Sequence, residues 1–231
     1  MKKLKPLLFL CLLSVFAACK KDTATPQPST PQQEEIAVTD SGSYTVNGKT
    51  YVVNSFGNFS VSNTDASLKI DSVVDHVNYY ISGNKDSVFF ARTYGISNYK
   101  DEGYMEISFF KKYSKTEMHK DGTGLLYNPN DPIDLFKVGK YNFQVDYTRA
   151  NANNGVAVSI YKNGRSYITR SLAENTTIKQ ESQNASHFEI ISLKHLKYGA
   201  YLLEAKFNAV VFDGEEKPHQ VTNGYIRMTI P

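Results

Sequence analysis

Apolar and polar residues alternate with a period of two along most of the chain after residue 40. Residues 139–147 do so without a break, with Tyr, Phe, Val and Tyr at the odd positions from 141 to 147. Residues 203–211 and 226–230 repeat the pattern. Because successive side chains of a strand point to opposite faces, this alternation predicts antiparallel strands with one face in the core and the other in water.

Two Asn-Gly dipeptides lie between such alternating runs, at Asn47-Gly48 and Asn163-Gly164. Asn-Gly tolerates positive φ at both central positions of a two-residue turn, so each dipeptide predicts a type I′ hairpin. The second turn then places Ile160 opposite Tyr167. Helix signals are weak, with room for a single turn at most in residues 131–138 and 193–198.

The composition favours the same fold class. The chain contains 16 Tyr and 13 Phe with abundant Val and Ile, and these residues are enriched in strands. We therefore predict an all-β domain over residues 41–231, an antiparallel β-sandwich or flattened barrel of about ten strands. The spacing of the strands does not distinguish these two architectures. The length suits one domain with its own hydrophobic core.

The amino terminus, residues 1–18, has the three parts of a secretory signal peptide. Three lysines lie among the first five residues, an apolar run covers residues 7–16, and alanines occupy positions 17 and 18. A helix needs about 20 apolar residues to cross a bilayer, and this run is shorter. The segment therefore predicts export of the chain rather than a membrane-spanning helix.

A cysteine follows the two alanines, and Phe16-Ala17-Ala18-Cys19 resembles the lipobox of bacterial lipoproteins, with Phe16 where leucine is usual. Together with the following Lys20-Lys21-Asp22, the pattern resembles Bacteroidota cell-envelope lipoproteins that carry an all-β domain. The resemblance implies diacylglycerol on Cys19 and a further acyl chain such as palmitate on the new amino terminus. Two chains suffice for stable anchoring. The alternative is an ordinary secretory signal followed by a chance cysteine.

The lipid is expected to hold the protein in the outer membrane, because Lys20 stands where an aspartate would signal retention in the inner membrane. In the lipoproteins that this segment resembles, a charged stretch after the cysteine accompanies surface display, so the resemblance implies the cell surface rather than the periplasmic face. Residues 19–40 form the lipidated cysteine and a Pro/Thr/Gln-rich tether. Such a segment has little apolar surface to bury and is predicted to be disordered.

Charge and cysteine content exclude several classes of function. Three of the 26 Lys and Arg residues belong to the signal peptide, so the mature chain has 23, equal to its 23 Asp and Glu. Without a basic cluster, we expect no nucleic-acid partner. Cys11 leaves with the signal peptide and Cys19 carries lipid, so the mature domain has no thiol for a disulfide, a thiolate metal site or a cysteine nucleophile.

Motifs for catalysis or cofactors are missing from the sequence. The five histidines show no metal-binding spacing, and no nucleophile elbow or phosphate-binding loop is present. We assign no catalytic residue and expect no cofactor. A weak calcium candidate lies in the loop over residues 128–134, which offers hard oxygen ligands. Its ligands would be Asn128, Asn130, Asp131 and Asp134, although Asn-Pro and Asp-Pro are also ordinary turn starters.

Two further features concern modification and ligand binding. Asp-Ser/Thr-apolar tripeptides resemble Bacteroidota O-glycosylation sites, and the resemblance implies glycans on Thr23, Ser72 and Ser87. Aromatic doublets such as Phe89-Phe90 and Phe109-Phe110 place one ring on each face of a strand. Packing against the sheet is favoured over a sugar-stacking platform for these rings.

Two functional hypotheses follow. The first is a non-catalytic protein, anchored to the membrane by its lipid, that binds a glycan, peptide or protein partner through loops or an exposed sheet face. The alternative is an envelope hydrolase or lyase whose carboxylates and histidines converge only in the fold. An open groove would favour binding, and a pocket that gathers two acids with a histidine would favour the enzyme.

Overall fold

The computed structural model describes residues 40–74, 78–98, 103–122, 127–145, 154–171 and 176–230, and for residues 56–85 it describes the backbone only. The domain is all-β, as the alternation predicts. Its strands are β1 (Ser41–Val46), β2 (Lys49–Val53), β3 (Ser55–Val74), β4 (Asn78–Asn98), β5 (Gly103–Ser114), β6 (Met118–Lys120), β7 (Tyr127–Pro129), β8 (Gly139–Tyr141), β9 (Gly155–Lys162), β10 (Arg165–Ile168), β11 (His187–His195), β12 (Tyr201–Phe212) and β13 (Pro218–Ile230). Short 3-10 turns lie at Lys115–Glu117, Gln180–Gln183 and Lys197–Gly199.

Eleven of these strands form one antiparallel sheet in the order β2-β1-β13-β12-β10-β9-β5-β4-β3. β11 pairs with β12 and β8 with β11, while β6 and β7 form a separate ribbon. Asn54 alone separates β2 from β3, yet these strands pair at opposite ends of the path, with β1 and β4 respectively. The strand path does not close into a barrel. Of the two predicted alternatives, the arrangement is therefore consistent with the sandwich.

Both predicted hairpins are confirmed. Asn47 and Gly48 have φ of 51° and 75°, and Asn163 and Gly164 have φ of 48° and 70°. Positive φ at both central positions is the signature of a type I′ turn. The register follows from the turns, with Tyr44 opposite Tyr51 and Ile160 opposite Tyr167.

One hydrophobic cluster forms the core, and it draws residues from both ends of the strand path. On β12, Leu203, Ala205, Phe207, Ala209 and Val211 are all buried, as the alternation predicts. The apolar positions of residues 226–230 on β13 are buried as well. Because β1 and β2 contribute to the same cluster as β4 and β5, the sheet wraps around this core.

A second, smaller cluster lies on the opposite face of the central strands. It consists of Phe89, Ala91, Phe110 and Ala157, which come from β4, β5 and β9. The rings of Phe89 and Phe110 stack with centroids 5.9 Å apart, whereas Phe90 and Phe109 belong to the main core. Each of these two doublets therefore packs one ring on each side of the sheet, and neither forms an exposed platform.

The alternation over residues 139–147 predicts one continuous strand, and for the described residues 139–145 this prediction is wrong. β8 ends at Tyr141, and the chain then pairs with β9, where Asn142 O accepts from Val156 N and Gln144 N donates to Val156 O. Phe143 packs in the main core, but Val145 packs in a third cluster with Ile178, Val210 and Phe212. Alternation along the sequence reports which side chains are apolar, and it does not report that the chain changes its pairing partner.

Candidate functional site

A cleft of about 500 Å³ lies between the two Asn-Gly hairpins, and we call it the hairpin cleft. Val46 and Ile160 belong to its floor, and both residues are part of the main core. Its walls and rim are formed by Asn47, Lys49, Tyr51, Lys162, Asn163, Arg165 and Tyr167. The two hairpins are far apart in the sequence, and the fold brings their turns to the same end of the core.

The cations of this cleft occupy positions that face the core. Lys162 follows Ile160 by two residues on β9, so its side chain lies on the same face of the strand as a fully buried core residue. Lys49 pairs across the hairpin with Val46, which is likewise buried. The hairpin cleft is therefore the open end of the core, where cations replace the apolar residues that would close it.

These cations also lie close to one another. The Nζ atom of Lys162 lies 3.0 Å from the centroid of the Tyr51 ring, and the Nζ atom of Lys49 lies 5.4 Å from the same centroid. Lys162 is also the direct cross-strand partner of Arg165. Like charges in this position destabilise a hairpin. Burial, and then the charge of Lys49, lower the pKa of Lys162.

Within the described residues, no acidic partner balances these charges. The described residues that line the hairpin cleft include no Asp or Glu. Lys49, Lys162 and Arg165 form no ion pair within the part of the chain that the structure describes. The arrangement is therefore suited to an anion that enters the cleft from outside.

His219 on β13 supports the rim of the hairpin cleft. Its ring makes an edge contact with Tyr167, with centroids 5.1 Å apart, and its Nδ1 lies 3.4 Å from Asn47 Oδ1. Its Nε2 lies 3.0 Å from Asp213 Oδ2. Asp213 also accepts hydrogen bonds from the backbone N–H groups of Glu215 and Lys217. The acid thus holds both the β12–β13 turn and the histidine that contacts the cleft.

Replacing Asp213 with asparagine is expected to remove an acid-sensitive part of the stability. The hydrogen bond with His219, and then that from the Lys217 N–H, lower the pKa of Asp213 to about 2. A carboxyl whose pKa is lowered by folding stabilises the fold above its unfolded pKa of about 4, and this contribution disappears as the pH falls toward about 2. Melting temperatures of wild type and Asp213→Asn should therefore differ most above about pH 4 and converge near pH 2. A difference that stays constant over this range would contradict the assignment.

A smaller cavity of about 320 Å³ lies beside the loop that follows β7. Lys111, Lys137 and Asp134 line it, and both lysines form ion pairs with the Asp134 carboxylate. The hydrogen bonds from Lys111 and Lys137 lower the pKa of Asp134. Lys111 and Lys137 therefore already have an internal counter-ion, in contrast to the cations of the hairpin cleft.

The calcium candidates lie in this same loop, and other groups of the protein engage most of them. Asp134 binds the two lysines, and Asp131 Oδ1 accepts from the backbone N–H of Ile133. Asn130 contacts His119 Nδ1 through Oδ1 and donates to Thr116 O. Asn128 lies on β7, opposite His119 of β6. Among the described residues, no three His, Cys, Asp or Glu side chains are grouped as metal ligands would be.

The other predicted sites fall in different parts of the chain. Cys19 and Thr23 lie outside the described residues. Ser72 lies on β3, in the part described by its backbone alone. Ser87 lies on β4 with only 7% of its surface exposed, and its hydroxyl has no hydrogen-bond partner within the described residues. The folded domain does not present the Ser87 hydroxyl to a modifying enzyme.

Sequence reasoning missed the hairpin cleft, although a signal for it is visible. Both hairpin turns carry adjoining basic residues, in Asn47-Gly48-Lys49 and in Lys162-Asn163-Gly164-Arg165. Each is unremarkable alone, because lysine and arginine are common beside exposed turns. Their significance comes from the tertiary structure, which brings the two turns together over the end of the core.

Comparisons of the chain with protein-family models, with curated proteins and with solved structures found no match. Among the described residues, no helix has the length and apolar character needed to span a bilayer.

Proposed function

We propose that this chain is a lipid-anchored cell-envelope protein that binds a partner in the hairpin cleft and does not catalyse a reaction. The partner is a glycan, a peptide or a protein. One observation carries the proposal: Lys49 and Lys162 stand at core-facing positions of an open cleft, without acidic partners among the described residues. Such an arrangement lowers the stability of the free protein, and a bound ligand offsets that loss.

Binding is favoured over catalysis by the chemistry of the residues that line the cleft. A hydrolase acting through carboxylates needs at least one acid at the reacting bond, and the described lining contains none. His219 does not line the cleft, and both of its ring nitrogens already contact side chains, Nε2 that of Asp213 and Nδ1 that of Asn47. The envelope hydrolase or lyase remains the alternative function, and a cleaved ligand would identify it.

The anchoring part of the proposal rests on the resemblance of residues 16–22 to a lipoprotein signal. We expect the acyl chains on Cys19 to hold the protein in the outer membrane, with the tether of residues 19–40 separating the domain from the lipid. The cell surface is the favoured side. A binding domain in that position meets its partner outside the cell.

Protease treatment of intact cells tests the anchor and its side together. The wild-type domain should be removed from intact cells, and Cys19→Ala should be released from the membrane as soluble protein. Protection of the wild type would place the domain on the periplasmic face. Unchanged mass and membrane attachment in Cys19→Ala would contradict lipidation.

An array of glycans and peptides tests the role of the cleft. The full chain, purified from membranes in detergent, should bind a subset of the array. Because Arg165 is an exposed cleft residue, Arg165→Ala should weaken that binding about tenfold, equivalent to about 1.4 kcal/mol. Lys194→Ala is the matched control, since Lys194 is exposed on β11 and does not line the cleft.

Two results of the array would overturn the proposal. Equal binding by wild type and Arg165→Ala would show that the ligand does not bind in the cleft. Mass spectrometry after incubation with the wild type detects any shortened ligand. A shortened ligand would show that the protein cleaves it by hydrolysis or elimination.

A further inference from the structure

We infer that the ligand of the hairpin cleft is an acidic glycan, a sugar chain that carries carboxylate or sulfate groups. This inference rests on the proposed function and specifies its ligand class. Two observations support it: the sign of the charge in the cleft, and the polar groups at its rim that have no hydrogen-bond partner within the described chain.

The charge of the cleft selects for anions. Lys49, Lys162 and Arg165 line it without a described carboxylate, so a cationic ligand would be repelled and a neutral one would leave the charges unbalanced. Three positive charges in one cleft are matched by a ligand with repeated negative charges. Amines form charge-assisted hydrogen bonds to carboxylate and sulfate oxygens, and arginine can do so in a bidentate manner.

These cations are also crowded together, which favours an anionic ligand. Lys162 shares the Tyr51 ring with Lys49 and faces Arg165 across the hairpin. Burial, and then the charge of Lys49, lower the pKa of Lys162, in keeping with the proximity of the two amines. A bound anion offsets the repulsion between the cations.

The polar groups of the rim suit sugar hydroxyls. Asn163, Tyr51 and Tyr167 line the cleft, and neither the side-chain amide of Asn163 nor the two tyrosine hydroxyls have a hydrogen-bond partner within the described chain. Binding sites for small polar ligands combine an apolar floor with a few such groups. Val46 and Ile160 supply the apolar floor.

Calorimetric titration of the full chain with matched oligomers tests the inference. The probes are tetragalacturonate, a chondroitin sulfate tetrasaccharide, the carboxyl-reduced neutral form of tetragalacturonate, and tetraglutamate. At least one acidic sugar should bind about tenfold or more tightly than the neutral form and tetraglutamate, and raising the salt concentration should weaken that binding because the rim is exposed to solvent.

Variants test whether the preference for acidic sugars depends on the cations of the cleft. Lys49→Gln, Lys162→Gln and Arg165→Gln should each weaken binding of the acidic sugar about tenfold, with little change for the neutral form. Lys194→Gln and Lys206→Gln are the controls, since both lysines are exposed outside the cleft and should bind as the wild type does. Melting temperatures of all variants without ligand confirm that each one is folded.

The possible failures are distinguishable. Equal binding of neutral and acidic sugars, still sensitive to the cleft variants, would overturn the acidic class and leave the proposed function standing. Tighter binding of tetraglutamate than of either acidic sugar would show that the ligand is an acidic peptide and not a glycan. Binding that none of the cleft variants weakens, or no binding of any probe here and of any ligand on the array, would overturn the proposed function as well.

Discussion

Replacing Gln183 with methionine is expected to lower the free energy of unfolding by about 4 kcal/mol, because two buried carbonyls lose a donor at roughly 1–3 kcal/mol each. Gln183 is buried in the 3-10 turn before β11. Its Nε2 donates to Val210 O at 2.7 Å and to Thr169 O at 3.3 Å, while its Oε1 accepts from Val210 N at 3.2 Å.

The position of Gln183 explains why one amide has such an effect. β10 and β12 share a single pair of register partners, Ile168 and Phe212. Beyond that pair, the side chain of Gln183 bridges Thr169, just after β10, to Val210 on β12. Methionine keeps the length of the side chain and removes the three hydrogen bonds, so the variant isolates their contribution.

Chemical denaturation of the full chain measures this effect. Gln220→Met is the matched control, because Gln220 is exposed on β13 and its substitution should change stability by less than about 0.5 kcal/mol. Equal stability of Gln183→Met and Gln220→Met would contradict the bridging role of Gln183.

Replacing Gly224 with alanine is expected to destabilise the domain by about 3 kcal/mol through overpacking. Gly224 pairs with Phe207 across β12 and β13. A Cβ atom at Gly224 would lie 2.5 Å from Phe207 O and 2.6 Å from two atoms of the Phe207 ring. The ring is buried and stacks on Phe188, so it has little room to move.

Gly214→Ala is the control for this prediction. Gly214 lies in the β12–β13 turn with open space around its Cβ position, so alanine should leave stability unchanged or raise it by up to about 1 kcal/mol. The comparison uses the same denaturation experiment. Equal melting of Gly224→Ala and the wild type would show that β12 and β13 separate more easily than their pairing indicates.

The sequence predicts the strands of this domain better than it predicts their partners. Alternation identifies the buried faces of β12 and β13, and the Asn-Gly turns determine the register of two hairpins. These features are local, so neighbouring residues suffice to determine them. The exchange of partners after Tyr141 depends on Val156, which is distant in the chain, and the sequence pattern does not contain it.

The Asn-Gly dipeptide at residues 223–224 shows how context changes the meaning of a local signal. Asn223-Gly224 lies within β13, where the register with β12 shifts and Asn223 has φ of 52°. Asn223 N donates to Asn208 Oδ1 across the strands, so the dipeptide forms a bulge rather than a hairpin turn. The same residues that turn the chain at two other positions accommodate an irregularity within a long strand.

The hairpin cleft also depends on contacts between residues that are distant in the sequence. Its cations are visible in the sequence, but their orientation toward the core end depends on strand pairing and on the approach of two separate hairpins. The predicted calcium ligands show the opposite case, a local pattern that tertiary contacts override. Oxygen-rich spacing identified the loop, and the fold assigns its carboxylates to lysines and to a backbone N–H group.

Hydrogen–deuterium exchange of the full chain, with and without the tightest ligand from the array, tests the central claim most directly. Ligand in the hairpin cleft should slow exchange at the two turns, residues 47–50 and 162–166, and leave the loop of residues 131–138 unchanged. Protection confined to that loop, or to any surface away from the two hairpins, would contradict the assignment of the binding site.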